Sequence, residues 1–546
     1  MKLVIVGGVA GGASAAVRAR RLAEDAEVVV FERGPDVSYA NCGLPYHVGG
    51  VIPDRAKLLV TTPARLRERF KLDVRTRSEV TAIDRANKTV RVRDLETGRV
   101  YDEGYDKLIL APGAAPVRPP VPGLDLPNVF TLRTLDDADR IKTAVDAGVK
   151  EAVVIGAGYI GLEVAENLTR RGVATTVVQQ GDRVLASFDA EMTAPVAACL
   201  RANGVGLVFG DTAEAIDATP DGLNVRLRSG RVLPAQLIVV GVGVRPESRL
   251  AAEAGLEVGP RGGVWVDDRL RTSDPNIFAV GDAVETTDFV TGERTQVPLA
   301  GPANRQGRIA ADNALGRDSR YRGTQGTAVV GLFGTTAAMT GASEKTLRRL
   351  GTPYRKVYVH PAHHAGYYPG AEGMTLKLLF APVTGRLLGA QGVGGAGVDK
   401  RIDVLAVAIQ ARMTAFDLEE VELCYAPQFG SAKDPVNMLG FVAAGLLRGD
   451  HPQSDWEAVG AERAFLLDVR TPPEYAAGHI PGAVNVPVDE LRDRLAEVPK
   501  GRPVVAYCQV GQRGYLATRV LAQAGYGVSN LGGGYATYRL HHPAPA

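Results

Sequence analysis

The feature that most constrains this chain is a strand, glycine turn, helix and strand pattern that it spells twice. The first copy is Lys2-Leu-Val-Ile-Val-Gly-Gly-Val-Ala-Gly-Gly12, then the Ala/Arg-rich stretch Ala13–Ala23, then Glu27-Val-Val-Val-Phe-Glu32. The second is Ala152-Val-Val-Ile-Gly156-Ala-Gly158-Tyr-Ile-Gly161, then Leu162–Arg171, then Ala174-Thr-Thr-Val-Val-Gln179. Each reads as a βαβ unit with a parallel strand pair and, by default, a right-handed crossover. Two such units predict two nucleotide-binding domains. They do not fill the chain, since 546 residues at ~150 per domain make three or four domains.

From about Thr324 to Leu447 the pattern changes. Val329–Phe333, Tyr354–His360 and Thr375–Phe380 read as strands of an antiparallel sheet, while Val398–Arg412 and Pro435–Leu447 read as helices. That is an α+β domain. Arg448-Gly-Asp-His-Pro-Gln-Ser454 is a polar break suited to a linker, and 455–546 reads as a small α/β domain. Sixty-three basic residues against 61 acidic ones give a formal charge of +2, which offers no electrostatic case for nucleic acid or an anionic membrane. No apolar run approaches the ~18 residues of a membrane span, and the opening residues read as a buried strand and turn, not a signal peptide. Four widely separated cysteines, Cys42, Cys199, Cys424 and Cys508, cannot form a disulfide framework. A soluble, cytoplasmic protein is expected, with cysteines that matter through reactivity.

A glycine turn between strand and helix brings backbone N–H groups close to a pyrophosphate, and the helix N-terminus favours the negative charge. In the first unit the glycines are Gly7, Gly8, Gly11 and Gly12, with Val9 where a middle glycine usually falls; Glu32 ends the second strand, where an acid accepts from ribose hydroxyls. The second unit has the full pattern in Gly156, Gly158 and Gly161, but its last strand ends at Gln179. A neutral amide there neither selects a free ribose hydroxyl strongly nor rejects a phosphate, so loose discrimination between NADH and NADPH is expected. Arg183 is either a phosphate contact or a solvated charge. A third marker is Thr272-Ser-Asp-Pro-Asn-Ile-Phe-Ala-Val-Gly281-Asp282-Ala, a strand ending in Gly-Asp. With Leu108-Ile-Leu-Ala-Pro-Gly113 and Gly241-Val-Gly-Val-Arg-Pro246, the set resembles the flavoproteins with two dinucleotide-binding domains. That resemblance implies FAD in a discontinuous first domain (1–113 and 247–323) and NAD(P)H in a second (114–246). Arg33, Ala111, Gly113, Gly241 and Ala300 are expected to join the cofactor contacts.

Ser38-Tyr-Ala-Asn41-Cys42-Gly43-Leu-Pro-Tyr46 follows the first unit closely, which puts Cys42 near a flavin bound there. There is no CxxC and no CxxxxC, so a dithiol relay is ruled out. A single redox cysteine remains, cycling between a thiolate and a mixed disulfide or sulfenic acid. This segment, both glycine turns and the Gly281-Asp282 motif are similar to the single-cysteine pyridine nucleotide-disulfide oxidoreductases. That family includes coenzyme A-disulfide reductases, NADH oxidases, NADH peroxidases and persulfide reductases, and the likeness covers about residues 1–447. The Ser-x-x-Asn-Cys-Gly form looks most like the coenzyme A-disulfide branch. It implies that Arg18, Arg21, Ser38 and Asn41 line a coenzyme A path, with the run Arg18-Ala-Arg20-Arg21 supplying cations for its phosphates. It also places Asn304 and Arg308 nearby, makes Tyr367 and Tyr425 active-site phenols, and makes 324–447 a dimerisation domain whose Tyr425 reaches the cysteine of the other subunit. A phenol can protonate a departing thiolate. Oxidase and peroxidase relatives often have a histidine in this neighbourhood; none stands in Gly301–Arg308, which points away from peroxide chemistry.

Tyr507-Cys508-Gln-Val-Gly-Gln-Arg513 opens a helix after an apolar run, so the loop amides and helix dipole should stabilise a thiolate or persulfide at Cys508, with Arg513 closing the loop. With Leu466-Leu-Asp468-Val-Arg470 and Glu474-Tyr-Ala-Ala-Gly478-His479-Ile480-Pro-Gly482, the segment resembles the rhodanese fold, which implies that Cys508 carries sulfane sulfur. Cys199 reads as a helix residue and Cys424 has no activating charge nearby in sequence. His360, His363 and His364 lack partners at ligand spacing, so no metal site is expected. The expected protein is a homodimeric, FAD-dependent NAD(P)H reductase of coenzyme A disulfide, coenzyme A persulfide or polysulfide, in which small sulfane-sulfur compounds pass sulfur between Cys508 and Cys42. The rivals are an NADH oxidase reducing oxygen, and a redox-sensing flavoprotein whose C-terminal domain is a docking module.

Overall fold

The computed structural model describes residues 1–459 and 464–542. The chain divides into two compact units: Met1–Asp182 with Gly204–Thr324, and Arg183–Asn203 with Gln325–Ala546.

The first unit is built on two parallel five-stranded sheets. One has the order Ile277–Ala279, Lys107–Leu110, Lys2–Val6, Glu27–Phe31, Asp73–Arg75; the other runs Gly206–Phe209, Ala174–Gln179, Glu151–Ile155, Leu237–Val240, Val129–Phe130. In both, the βαβ unit read from sequence supplies the central pair, in register Val4↔Val29 and Val153↔Thr176. The central strands are apolar in their interiors because both faces are covered: Leu3, Val4, Ile5, Leu108 and Ile109 are all wholly buried. Backbone proximity fixes where each turn lies. A Cβ on Gly7, which has φ +96°, would sit 2.1 Å from the carbonyl oxygen of Ala111; one on Gly156, at φ +109°, would sit 2.4 Å from that of Gly241. Helix Ala10–Leu22 meets helix Ala300–Ala314 just as closely, for a Cβ on Gly307 would lie 2.2 Å from the oxygen of Gly11. These contacts bring the Gly281-Asp282 end of the sheet and the first glycine turn to one place.

The second unit contains an antiparallel sheet, Ala328–Leu332, Thr335–Gly341, Leu387–Gly394, Met374–Phe380, Arg355–Val359, with helices Val398–Gln410 and Pro435–Arg448. It also contains a parallel sheet, Gln453–Ser454, Val528–Leu531, Val504–Tyr507, Phe465–Asp468, Val484–Asn485. Two boundaries differ from the sequence reading. The polar break is shorter than 448–454: helix Pro435–Arg448 stops at Gly449, φ +78°, and Gln453 and Ser454 already pair with Asn530 and Leu531. The segment Arg183–Asn203 groups with this unit and not with the rest of 114–246.

The reason for the second difference is ionic. Lys377, on the central antiparallel sheet and wholly buried, donates to Asp189 at 2.7 Å and also to Glu191 and Glu344, all three carboxylates nearly inaccessible. Gln391 donates to Asp189 at 2.8 Å, and the Asp189 amide donates back to Gln391 at 3.0 Å. Asp189 and Glu191 flank the start of helix Ala190–Ala202, so the helix is pinned where the lysine needs counter-charge. Among the described residues, these carboxylates are the cluster arranged as for a cation, and the ammonium fills that place. Burial would raise the Glu344 carboxyl, yet Lys377 and Lys356 hold it at about 2. Removing one partner of a buried ionic network leaves uncompensated charge and costs about 3–5 kcal/mol. Lys377→Met is therefore expected to destabilise the protein by that order, read as a lowered denaturant midpoint, with the loss partly recovered when Glu191→Gln is added.

Candidate functional site

A cavity of about 980 Å³ opens at the carboxyl ends of the first parallel sheet. Its wall includes Gly7, Gly11, Glu32, Arg33, Cys42, Ala111, Gly113, Arg133, Gly281, Asp282 and Ala300. Gly8 and Gly12 are buried behind it in the turn and the first turn of the helix. Glu32 accepts from the amides of Gly8 and Gly34, both at 2.8 Å. Its carboxyl is nonetheless raised, because desolvation outweighs those amides. Arg33 is exposed and pairs with Glu247 at 3.2 Å. Two residues the sequence reading missed hold the Gly-Asp motif: buried Gln306 accepts from the Gly281 amide at 2.7 Å, and Arg133 pairs with Asp282 at 2.9 Å. Nothing local in the sequence points to either. The cavity fits a dinucleotide: its volume is at the upper end of ordinary small-molecule sites, a glycine turn with a helix start forms one wall, and carboxylates stand at both strand ends.

The second turn is a copy with different ends. Gly158 precedes helix Tyr159–Arg170 and is exposed; Gly161 approaches the turn so closely that a Cβ would lie 2.1 Å from the Gly156 oxygen; the Gly241 amide donates to Ile155 at 2.7 Å. Gln179 accepts from the Ala157 amide at 2.9 Å, the counterpart of the bond from Gly8 to Glu32.

Cys42 lies in the short turn Asn41–Gly43, exposed at the cavity wall. That turn is tied to the first glycine turn through Ser38, whose amide donates to Gly8 at 2.9 Å and whose φ is +48°, a backbone conformation uncommon outside glycine. Asn41 donates to the Arg133 carbonyl at 3.4 Å. The surroundings of Cys42 raise its thiol. Partial desolvation, together with the carboxylates of Glu163 and Asp282, pushes the thiol up, and Arg133 only partly offsets them. Glu163 is itself pushed up to about 7 by burial, despite a hydrogen bond from the Tyr46 hydroxyl at 3.2 Å. The polypeptide by itself therefore disfavours the anion at Cys42.

Of the residues expected along a coenzyme A path, Ser38 and Asn41 lie beside Cys42, while Arg18, Arg21, Asn304 and Arg308 lie on helices Ala10–Leu22 and Ala300–Ala314, which pack together. Asn304 accepts from the Ser14 hydroxyl at 2.5 Å, Arg18 pairs with Asp312 at 2.8 Å, and Arg21 and Arg308 are exposed. The reading of the run Arg18-Ala-Arg20-Arg21 as a source of cations for a phosphate is corrected at Arg20. Arg20 is 7% exposed and donates to the carbonyls of Phe70, Glu24 and Lys71, so it fastens the end of its helix to the neighbouring helix.

In the second unit Tyr367 and Tyr425, 58 residues apart, share a hydrogen bond of 2.8 Å between their hydroxyls. Both rings face outward, at 76% and 49% exposure. His360 is hydrogen-bonded at both ring nitrogens, to Thr375 and Thr537, and burial lowers it to about 4. Cys424 is exposed, and Cys199 lies on a helix with its sulfur facing the Leu332 carbonyl.

Cys508 ends strand Val504–Tyr507 and is 1% exposed. The Gly511 amide, at the start of helix Gln512–Gln523, donates to its sulfur at 3.2 Å. Of the loop amides expected around the sulfur, that of Gly511 makes the hydrogen bond to it. Gly534, at φ +65°, closes the loop from behind: its added Cβ would fall 2.5 Å from the Cys508 oxygen, which accepts from the Tyr535 amide at 2.8 Å. Arg513 does not lie across the loop alone but forms a two-point pair with Glu474, at 2.6 and 2.8 Å.

With this geometry in place, comparison with known proteins is specific. Residues 1–307 match the family model for pyridine nucleotide-disulphide oxidoreductases, residues 327–434 that for their dimerisation domain, and residues 452–541 that for the rhodanese-like domain. The chain belongs to the pyridine nucleotide-disulphide oxidoreductases, a family that implies FAD and a pyridine nucleotide. Within it, this is a member fused to a C-terminal rhodanese-like domain. It is 36% identical over 444 residues to a coenzyme A disulfide reductase of Staphylococcus aureus, covering 81% of this chain and 99% of that one. The structure of reduced Bacillus anthracis CoADR-RHD is 47% identical with a TM-score of 0.97, covering 99% of this chain and 98% of that one. A NAD-dependent persulfide reductase from A. fulgidus is 38% identical with a TM-score of 0.92, covering 98% and 100%. The water-forming NADH oxidase from Lactobacillus brevis is 30% identical with a TM-score of 0.79, and covers 82% of this chain and 99% of its own. No helix among the described residues is long and apolar enough to cross a membrane.

The raised Cys42 thiol makes a direct prediction for flavin-free protein. Alkylation proceeds through the thiolate, so the rate of iodoacetamide labelling at Cys42 should rise with pH to a midpoint above the ~8.5 of an ordinary thiol. Glu163→Gln should shift that midpoint downward, because it removes the nearest carboxylate charge. Peptide mass spectrometry across a pH series reads both.

Proposed function

We propose that the protein is an FAD-dependent NAD(P)H reductase acting on coenzyme A disulfide, coenzyme A persulfide or polysulfide, with Cys508 as a sulfane-sulfur carrier that feeds Cys42. The observation that carries this reading is a single free cysteine on the wall of the dinucleotide cavity, together with a second free cysteine set at a helix start in the rhodanese-like domain. Relatives named for coenzyme A disulfide and persulfide reduction support the substrate class.

Bound FAD supplies the two-electron relay between nicotinamide and sulfur. Gly7, Gly11, Glu32 and Asp282 are positioned to hold it, and Gly156, Gly158 and Gly161 to hold the nicotinamide dinucleotide. The Cys42 thiolate attacks one sulfur of coenzyme A disulfide, forming a mixed disulfide and expelling coenzyme A thiolate. The Tyr367–Tyr425 pair is suited to donate a proton to that leaving thiolate, since the bond between the phenols uses only one of their two hydroxyl protons. Reduction of the mixed disulfide by the electrons of NAD(P)H restores Cys42 and frees the second coenzyme A. Per turnover, NAD(P)H, one proton and the disulfide give NAD(P)+ and two thiols; with a persulfide the products are one thiol and hydrogen sulfide. Ser38, Asn41, Arg18, Arg21, Asn304 and Arg308 are the proposed coenzyme A contacts.

The dimerisation domain and the outward exposure of both tyrosines support a homodimer in which the pair of one subunit serves the Cys42 site of the other. Four free cysteines fit a reducing compartment, the cytoplasm. An oxygen-reducing activity is the weaker reading: the oxidase relative leaves 18% of this chain unmatched, and that share is about the size of the rhodanese-like domain.

Cys42→Ser is expected to lower anaerobic NADH-dependent reduction of coenzyme A disulfide by at least a thousandfold while the flavin spectrum persists. Activity within about tenfold of the parent would exclude Cys42 as the reacting sulfur. Tyr425→Phe should reduce kcat more than it changes KM, because the phenol acts on the leaving group.

A further inference from the structure

Two guanidiniums flank the sulfur-carrying loop, and both are matched by carboxylates of the same domain. Arg470 is 2% exposed, forms a two-point pair with Asp468 at 2.7 and 3.0 Å, and also donates to Gln509 at 3.1 Å and the Gly478 carbonyl at 2.7 Å. Arg513 faces both Glu474 and the Cys508 sulfur, and those partners raise it. The loop residues between them, Gln509-Val-Gly-Gln512, carry no charge. Glu474 is held firmly in this role. The amide and the hydroxyl of Thr471 each donate to it at 2.9 Å, forming a capping box at helix Pro472–Ala476. The Arg513 pair and the Thr471 bonds hold the carboxyl at about 2, so it is ionised throughout any practical assay range.

We propose that Glu474 is a specificity-determining residue: by neutralising Arg513 it leads Cys508 to take sulfur from low-molecular-weight persulfides in preference to dianionic donors such as thiosulfate. The inference rests on the reading of Cys508 as the sulfur carrier and names its donor class. In the favoured transfer the Cys508 thiolate attacks the outer sulfur of R–S–SH. A bond forms between the two sulfurs, the R–S bond to that sulfur breaks, and the electron pair leaves on R–S⁻; the proton stays on the transferred sulfur. The donor brings no charge into the cradle, and the single charge of the Cys508 thiolate leaves on R–S⁻. The same attack on thiosulfate expels sulfite and brings a dianion against a thiolate, three negative charges where both guanidiniums already have counter-ions. At a sulfur only 1% exposed, that repulsion is less screened than it would be in open solvent.

The test compares donors on the full-length protein, using glutathione persulfide and thiosulfate with cyanide as common acceptor. The wild type should favour the persulfide in kcat/KM by at least a hundredfold. Glu474→Gln keeps the capping geometry, which accepts Gln as well as Glu, but frees the Arg513 charge. It should raise the ratio of thiosulfate to persulfide kcat/KM at least tenfold. Coenzyme A disulfide reduction in the same preparation checks that the variant is folded. Equal use of both donors by the wild type would overturn the proposal without any variant, and so would an unchanged ratio in Glu474→Gln. Failure of the underlying reading looks different: Cys508→Ser would then transfer sulfur from either donor as fast as the wild type.

Discussion

The site depends first on backbone meeting backbone without a side chain between. At Gly7 the first strand's turn passes against the Ala111 carbonyl, and a residue with a Cβ would collide with it at 2.1 Å. At Gly12 the helix comes back onto that turn, with an added Cβ only 1.8 Å from the Gly7 oxygen. Through Gly307 a helix nearly 300 residues later in sequence closes on the same helix start. Together these contacts gather three carboxyl-terminal strand ends and two helix starts around one cavity, where unpaired amides face a ligand. Gly156 and Gly161 repeat the device in the second sheet. The catalytic side chains are set on a frame whose tolerances come from these approaches, and Cys42 inherits its place through the Ser38 amide bonded to Gly8.

What was legible in the sequence is what repeats locally. Apolar strands of period two or less, a glycine turn and a helix declare a βαβ unit within some thirty residues, and Cys508 between a strand and a helix declares its loop. The two tyrosines were legible only through family resemblance; their mutual hydrogen bond spans 58 residues and has no pattern in sequence. Arg133 and Gln306 escaped for the same reason, since each acts on the Gly281-Asp282 motif from a different segment. Arg20 shows the reverse error. A basic run on a helix looks like a solvated or ligand-binding face, but the helix turn that carries Arg20 points inward, where only backbone carbonyls await it. Helix Ala190–Ala202 grouped with the second unit because a buried lysine needs counter-charge, a demand that no local propensity records.

The two candidate sulfurs are handled by opposite electrostatics. Around Cys42, partial burial and then the carboxylates of Glu163 and Asp282 outweigh Arg133 and raise the thiol. Arg133, the cation best placed to help, is already engaged by Asp282. Around Cys508 the guanidiniums are present but paired, and an amide at a helix start takes the direct hydrogen bond to sulfur. Neither sulfur is activated by a lone positive charge.

The rhodanese-like domain is not hung on a free tether within its unit. Gln453 donates to the Lys356 carbonyl at 2.9 Å, Lys356 pairs with Glu457 at 2.7 Å, and His360 bonds Thr537 at 2.8 Å, all between the antiparallel sheet and the C-terminal domain. Within the C-terminal domain itself, Trp456 stacks on His541 with centroids 3.7 Å apart. A carrier domain on a flexible linker raises local concentration by swinging, and its effect falls as the linker lengthens. Here the break after Gly449 is a few residues, and the first strand of the domain follows almost at once. Within its unit the rhodanese-like domain is thus held by contacts and not by a linker alone. A docked Cys508 exchanges sulfur most readily with a small thiol that diffuses or swings on its own arm, and a coenzyme A persulfide has both the terminal sulfur and the long flexible arm for it.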